Sequence, residues 1–165
     1  LPFEGTFPLE RVGYNSTNST SPDVVISLRW NSTRNDYGAP GMVISTGGTR
    51  GKGTHGSLSR YDLNNTLVAA GPDIKPGLIS DVPSGNIDLA PTVLWLLGVP
   101  PTKPMDGRVL HEALVTSKAP GPTVNLKKIE ASRDLGLFRW HQYLQFSEVN
   151  GTLYFDEGNG EPLPK

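Results

Sequence analysis

Residues 83–98 read PSGNIDLAPTVLWLLG, and this stretch predicts the clearest helix of the chain. Asp88 is placed to cap the helix, because its side chain can accept a free N–H of the first turn. Pro91 would lie in that first turn, where its missing N–H costs little. Gly98 and Pro100 are typical of a helix end. The apolar positions recur at helical spacing, at Leu89, Val93, Leu96 and Leu97.

Short strands are expected on both sides of this helix. Upstream, β-branched and apolar runs predict strands at 23–30, 42–45 and 67–70. A short helix is expected at 108–114. Downstream, strands are predicted at 124–129, 137–147 and 152–155, and Asn150-Gly151 favours a type I′ hairpin between the last two. This order predicts an α/β fold that ends in an antiparallel strand meander.

Composition excludes several classes of protein. The 165 residues suit one domain, and 19 Gly and 15 Pro predict many loops. With a net charge of −1, the chain has no excess of basic residues that would indicate nucleic-acid binding. The absence of cysteine excludes disulfides and thiolate zinc sites, so a metal must be held by His, Asp or Glu. The longest apolar run, Val93–Val99, is too short to span a bilayer, so no membrane segment is expected.

Five N-X-S/T sequons occur, at Asn15, Asn18, Asn31, Asn64 and Asn150. In a secreted eukaryotic protein these asparagines would be glycan acceptors. In a bacterial chain rich in Asn, Ser and Thr the same tripeptides carry no meaning. Both interpretations fit an extracytoplasmic protein, either periplasmic or secreted.

His55 is the first candidate for chemistry, because it ends the glycine-dense stretch 47–56 between two predicted strands. Loops at strand ends are where α/β proteins place their sites, and a neutral imidazole is a good zinc ligand. From local sequence alone, a solvent-exposed loop histidine is favoured. Arg50 and Lys52 in the same stretch could bind an anionic substrate. A solvated loop is the favoured alternative for these two cations.

The other two histidines are predicted to be structural. His111 lies on the expected short helix, and His141 lies in an expected strand with aromatic neighbours. Their spacing to His55 and to each other forms no local metal motif. No G-x-S-x-G elbow is present, so a serine nucleophile of that type is not indicated.

Residues 53–114 resemble the C-terminal part of the alkaline phosphatase superfamily. Three pieces carry the resemblance: GTHG at 53–56 with an apolar run ending at Pro72, the stretch 83–98, and MDGRVL at 105–110. The pattern looks closest to the type I phosphodiesterase/nucleotide pyrophosphatase branch, and sulfatases are near relatives. The resemblance implies the C-terminal portion of a three-layer α/β fold.

This resemblance also implies a domain organisation. Residues 1–165 would form a single partial domain. Within it, 1–52 would be a divergent, loop-rich lead-in with two strands, 53–116 a family-like core, and 117–165 an antiparallel tail. The capped helix and the Asp-Gly-Arg turn are interpreted as scaffold, so Asp88 and Asp106 are not assigned to catalysis.

The resemblance implies that His55 is the last histidine ligand of a two-zinc site. The family's nucleophile, its Asp-x-x-x-His pair and its Asp-His pair are missing here. The 54 residues before His55 contain no other histidine, and Asp23 and Asp36 lack the required neighbours. We therefore expect the N-terminal part of the same protein to supply the other ligands, and no catalytic residue in this chain.

The expected function is that of a C-terminal fragment of a metal-dependent phosphoric ester hydrolase, inactive in isolation. The alternatives within the superfamily are a sulfatase or a phosphomonoesterase, although the Asp-Asn pair of sulfatases is absent. The alternative of another class is a non-catalytic accessory or binding domain. The ligand would be a phosphate or sulfate ester, and strand edges left exposed would favour a homodimer.

Overall fold

The computed structural model describes residues 3–14, 20–43 and 56–165, and it shows a mixed α/β protein with more strand than helix. In these ranges the α-helices are α1 (Arg60–Leu63) and α2 (Leu89–Leu96). Short 3₁₀ helices span Leu9–Val12, Asn86–Asp88 and His111–Ala113. The strands are β1 (Trp30–Arg34), β2 (Pro40–Val43), β3 (Val124–Asp134), β4 (Arg139–Val149) and β5 (Thr152–Leu163).

The chain divides into two compact units. The first unit contains Leu1–Asn65, Lys128–Gln145 and Phe155–Lys165. The second unit contains Thr66–Lys127 and Phe146–Tyr154. Within the described ranges, no helix is long and apolar enough to cross a bilayer.

The C-terminal strands form a three-stranded sheet in the order β3-β4-β5. Their short connections make neighbouring strands antiparallel, since a parallel pair needs a long crossover. Asn150 and Gly151 have φ angles of 50° and 92°. Both central turn residues therefore have the positive φ that a type I′ turn requires, as the sequence predicts. The expected meander is confirmed, with strands that run further than the apolar pattern indicates.

Trp30 anchors the first unit. Its side chain is 4% exposed, and its indole N–H donates to the carbonyl of Gly158 at 2.7 Å. Its ring meets Tyr61 of α1 edge to face, with centroids 5.9 Å apart. In the β1–β2 hairpin Trp30 also pairs with Val43. The indole thus links β1, α1 and β5.

Helix α2 organises the second unit. It begins after Asp88 and ends before Gly98, as the sequence predicts, with Pro91 in its first turn and Gly98 at a φ of 65°. The predicted side-chain cap is wrong, because the carboxyl group of Asp88 accepts the N–H groups of Gly85 and Arg108 instead of an N–H of α2. Leu114 is fully buried and forms an isolated antiparallel bridge with Ile74.

Two of the predicted upstream strands are wrong. Of residues 23–30 only Trp30 belongs to a strand, and residues 67–70 belong to none. Strand propensity expresses how well a side chain fits a half-buried pleated surface. Ile26 and Val68 are 81% and 84% exposed, so neither side chain packs on such a half-buried surface. In the predicted strand 42–45, Met42 and Val43 belong to β2, and residues 44–45 lie outside the described ranges.

The predicted helix at 108–114 shrinks to the 3₁₀ helix His111–Ala113. Leu110 and Leu114, which flank it, have ψ angles of 61° and 133°, so the backbone leaves the helical region on both sides. The backbone N–H of Leu110 donates to the hydroxyl of Thr92 at 3.0 Å.

Candidate functional site

The three residues predicted to form the site, His55, Arg50 and Lys52, lie outside the described residues. The interpretation of His55 as a metal ligand therefore stays a prediction. The described structure begins again at Gly56, directly after His55, and shows how the following segment is held.

The segment after His55 is fixed within the first unit. The backbone N–H of Leu58 donates to the hydroxyl of Ser27 at 3.1 Å, and its carbonyl accepts the N–H of Gly158 at 2.8 Å. Ser59 is fully buried and caps α1 by accepting the N–H of Tyr61 at 3.3 Å. The chain that leaves the glycine-dense stretch is thus tied to β5 within three residues.

Glu157 of β5 is the buried acid that supports this attachment. It is 6% exposed, and it accepts the Nε–H of Arg60 at 2.5 Å. The hydroxyl of Tyr143 donates to it at 3.0 Å, and the amide of Gln145 at 3.3 Å. Burial raises the pKa of Tyr143, and the neighbouring Glu157 raises it further. The polar side chains of this cluster are hydrogen-bonded to Glu157. The cluster is therefore better explained as an anchor for α1 than as a reactive site.

Asp88 is the centre of a buried network in the second unit. Its side chain is fully buried, and its carboxyl oxygens accept the N–H of Gly85 and the N–H of Arg108, both at 2.8 Å. The hydroxyl of Tyr154 donates to the same carboxyl group at 2.9 Å. Burial and the hydrogen bond to Asp88 raise the pKa of Tyr154 to about 12. The carboxyl group of Asp88 is thus fully hydrogen-bonded, as buried polar groups in a structural network are.

Arg108 extends the network. Its guanidinium donates to both carboxylate oxygens of Glu112, at 2.7 and 2.9 Å, and to the carbonyl of Pro83 at 3.0 Å. Its Nε–H donates to the hydroxyl of Tyr154 at 3.1 Å. Burial alone would raise the pKa of Glu112, but the hydrogen bond and charge of Arg108 outweigh it, and this pKa is lowered. The guanidinium is thereby engaged and is not free to bind a substrate anion.

Gly107 explains why the Asp-Gly-Arg turn needs a glycine. A Cβ atom at this position would lie 2.0 Å from the carbonyl oxygen of Ile87. The second and third pieces of the sequence resemblance therefore lie against each other, joined also by the hydrogen bond from Arg108 to Asp88. Asp106 is exposed on the same turn.

Sequence reasoning missed Tyr154 and Glu157 as partners of these networks. Tyr154 is 66 positions from Asp88, and Glu157 is far in sequence from Arg60. Neither pair has a local spacing that could reveal it. In contrast, Arg108 and Glu112 stand four positions apart, a spacing that does signal an ion pair.

The other two histidines lie apart from any metal-ligand set. Nδ1 of His111 is 3.0 Å from the hydroxyl of Ser117, and its ring meets Trp95 edge to face at 5.4 Å. Nε2 of His141 is 3.4 Å from Glu130. Among the described residues, no group of three or more His, Asp or Glu side chains could hold a metal ion.

A shallow apolar groove of about 410 Å³ runs beside α2, lined by Trp95, Pro91, Pro100 and Val109 among others. None of its lining side chains is titratable, so the groove offers no acid, base or metal ligand. We therefore assign no catalytic role to this groove.

The chain was compared with protein-family models, with curated proteins and with solved structures, and none of the three comparisons gave a match. The resemblance to the alkaline phosphatase superfamily therefore rests on the three motif pieces in the sequence.

Proposed function

We propose that this chain is the C-terminal part of a metal-dependent phosphoric ester hydrolase of the phosphodiesterase/nucleotide pyrophosphatase type. In this proposal the chain belongs to an alkaline-phosphatase-like three-layer fold, and His55 is one ligand of a two-zinc site. The observation that carries the proposal is the order and spacing of three pieces: residues 53–56, 83–98 and 105–110.

The contact between Asp88 and Arg108 supports treating the last two pieces as one framework. Here the motif aspartate accepts the backbone N–H of the motif arginine, and Gly107 packs on the carbonyl of Ile87. Asp88 at its centre is buried and hydrogen-bonded, which suits a scaffold.

The chain alone does not make a catalytic zinc site. Such sites normally use three protein ligands, and His55 supplies one. When bound, the two metals of such a site would stabilise the charge of an in-line displacement at phosphorus. Within this chain, His55 would hold zinc through a neutral imidazole nitrogen, and Arg50 and Lys52 would attract the phosphate ester. The remaining ligands and the nucleophile would come from the N-terminal part of the same protein.

The surface of α2 supports a covering partner of this kind. The helix turns Leu89, Val93 and Leu97 outward, with exposed fractions of 44%, 51% and 69%, while Thr92 on the other side is buried. No charged residue occurs between positions 89 and 102. Contiguous exposed apolar surface on a stable protein usually marks an interface. We propose that the rest of the same protein covers this surface.

We also propose that this protein works outside the cytoplasm, which its five sequons fit.

The test uses the full protein encoded by the gene, supplied with zinc, and three substrates: a bis(nitrophenyl) phosphate, a nitrophenyl phosphate and a nitrophenyl sulfate. The diester should turn over fastest. His55→Ala should lower kcat/KM by at least about a hundredfold, since loss of even a supporting group at a metal site costs on that order. His111→Ala and His141→Ala serve as matched controls and should retain activity, because these side chains contact Ser117, Trp95 and Glu130 instead.

Each other outcome selects an alternative. Fastest turnover of the sulfate or of the monoester would indicate a sulfatase or a phosphomonoesterase. No turnover of any ester would favour the accessory domain. The 165-residue chain alone should be inactive. If it turned over the diester and His55→Ala abolished that activity, the site would be complete here and the account of missing ligands would be wrong.

The role of the two cations is tested separately. Arg50→Ala and Lys52→Ala in the full protein should raise KM for the diester. An unchanged KM in both variants would remove Arg50 and Lys52 from the substrate site.

A further inference from the structure

The sequons of this chain show a regularity that its composition does not explain. All five end in threonine, at Thr17, Thr20, Thr33, Thr66 and Thr152, although the chain contains 13 Thr and 13 Ser. Five of its 10 asparagines stand in such a motif, whereas a random arrangement of the same residues would give about two motifs. The number and the uniform third residue therefore point to the motif itself.

Asn64 is well placed to be an acceptor. It lies immediately after the last residue of α1, and its side chain and those of Asn65 and Thr66 are all exposed. The residues that follow it belong to no helix or strand. A bulky polar substituent on Asn64 would therefore project into solvent without displacing packed side chains.

Asn150 is the second well-placed acceptor. It forms the tip of the β4–β5 hairpin with a φ of 50°, and its side chain is exposed. Its Oδ1 accepts the N–H of Thr123 at 3.0 Å. Because a glycan is attached through Nδ2, this hydrogen bond would survive the modification.

We infer that Asn64 and Asn150 carry N-linked glycans added in a eukaryotic secretory pathway. In this transfer a bond forms between Nδ2 of the asparagine and the anomeric carbon of an oligosaccharide carried on a lipid pyrophosphate. The bond from that carbon to the pyrophosphate oxygen breaks, the lipid pyrophosphate leaves, and the amide nitrogen loses one proton. Asn31 is not included, because it is half-buried on β1.

The inference is independent of the proposed hydrolase activity. It rests on the sequons and on side-chain exposure, and it concerns modification of the chain in its own cell. Activity and glycosylation are measured separately, so a hydrolase without glycans can be distinguished from a glycosylated accessory domain.

The test begins with the protein purified from its source organism. Peptide N-glycosidase in heavy-oxygen water converts each glycosylated asparagine to an aspartate that carries the heavy isotope, which peptide mass spectrometry locates. We expect the label at Asn64 and Asn150. Asn86 stands outside any sequon, and Asn159 is followed by glycine as Asn150 is but also stands outside any sequon, so both serve as internal controls that should stay unlabelled.

A variant of the sequon tests whether the motif, and not side-chain exposure alone, determines the label. In protein expressed in its source organism, Thr66→Ala should abolish the label at Asn64 and leave the label at Asn150 unchanged. Unlabelled Asn64 and Asn150 in the natural protein would overturn the inference. So would a label on Asn64 that survives Thr66→Ala.

Discussion

The buried carboxyl group of Asp88 accepts the backbone N–H of Arg108 at 2.8 Å. This hydrogen bond spans 20 positions of sequence and joins the start of α2 to the Asp-Gly-Arg turn. Tyr154 of β5 donates to the same carboxyl group, so three segments of the second unit meet at one side chain. The second unit should therefore depend on Asp88 for its stability.

Asp88→Asn should destabilise the protein by about 2–3 kcal/mol, because an amide nitrogen would face buried N–H or O–H donors in place of one acceptor oxygen. Urea unfolding followed by circular dichroism measures the change. Asp106→Asn is the matched control on the exposed turn and should change stability by less than about 0.5 kcal/mol. If Asp88→Asn destabilised the protein no more than Asp106→Asn, the network would contribute little to the free energy of unfolding.

Gly107→Ala should destabilise by about 3 kcal/mol or more, because a Cβ atom would lie 2.0 Å from the carbonyl oxygen of Ile87 and would push the turn away from Asp88. Gly121→Ala is the control, since a Cβ atom there meets nothing within 4 Å. Thermal unfolding of both variants measures the difference. A Gly107→Ala protein as stable as Gly121→Ala would contradict the close approach.

Tyr154 should make stability fall at high pH. Its pKa is raised from 10.0 to about 12 in the folded protein, by burial first and then by its hydrogen bond to Asp88. The folded state keeps the proton that the unfolded chain releases above pH 10. Its contribution is thus fully present below pH 10 and is lost as pH rises through about 12.

Tyr154→Phe checks this sign. The variant should be less stable than the parent below pH 10, by about 1–2 kcal/mol for the lost hydrogen bonds, and the gap should narrow as pH rises towards 12. Denaturant unfolding at several alkaline pH values measures the gap. Tyr37→Phe removes a phenol that is 93% exposed and is the control. A gap that widens with pH would refute the assignment.

Glu157→Ala should destabilise the first unit by about 2 kcal/mol, because it leaves Tyr143, Gln145 and Arg60 without their shared acceptor. Glu161→Ala lies on the same strand at an exposed position and should have little effect. Hydrogen exchange of the α1 amides adds a local readout. Unchanged protection of α1 in Glu157→Ala would show that the attachment to β5 does not hold the helix.

The elements that sequence predicted well are those with strong local signals. α2 has a helical apolar period, a proline in its first turn and Gly98 beyond its end, and all three depend on nearby residues only. The β4–β5 hairpin follows from Asn150-Gly151, because few other residue pairs accept two positive φ angles. The cap predicted at Asp88 is the exception, because its carboxyl group accepts the N–H groups of Gly85 and Arg108 in place of an α2 amide.

The failures come from interactions that local sequence does not encode. Residues 23–29 and 67–70 have the composition of strands, but a strand also needs a neighbour, and none pairs with them among the described residues. The partners of Asp88 and Arg60 come from β5, far along the chain. Such pairs emerge only when the tail folds back, so no spacing rule could have identified Tyr154 or Glu157.

The most direct test of the account is the zinc content of the full protein and of its His55→Ala variant, measured by elemental analysis after dialysis against trace zinc. The account predicts two zinc ions per chain in the parent and a loss of at least one in His55→Ala, with no loss in His111→Ala or His141→Ala. An unchanged zinc content in His55→Ala would contradict the assignment of His55 as a metal ligand, and with it the proposed hydrolase site.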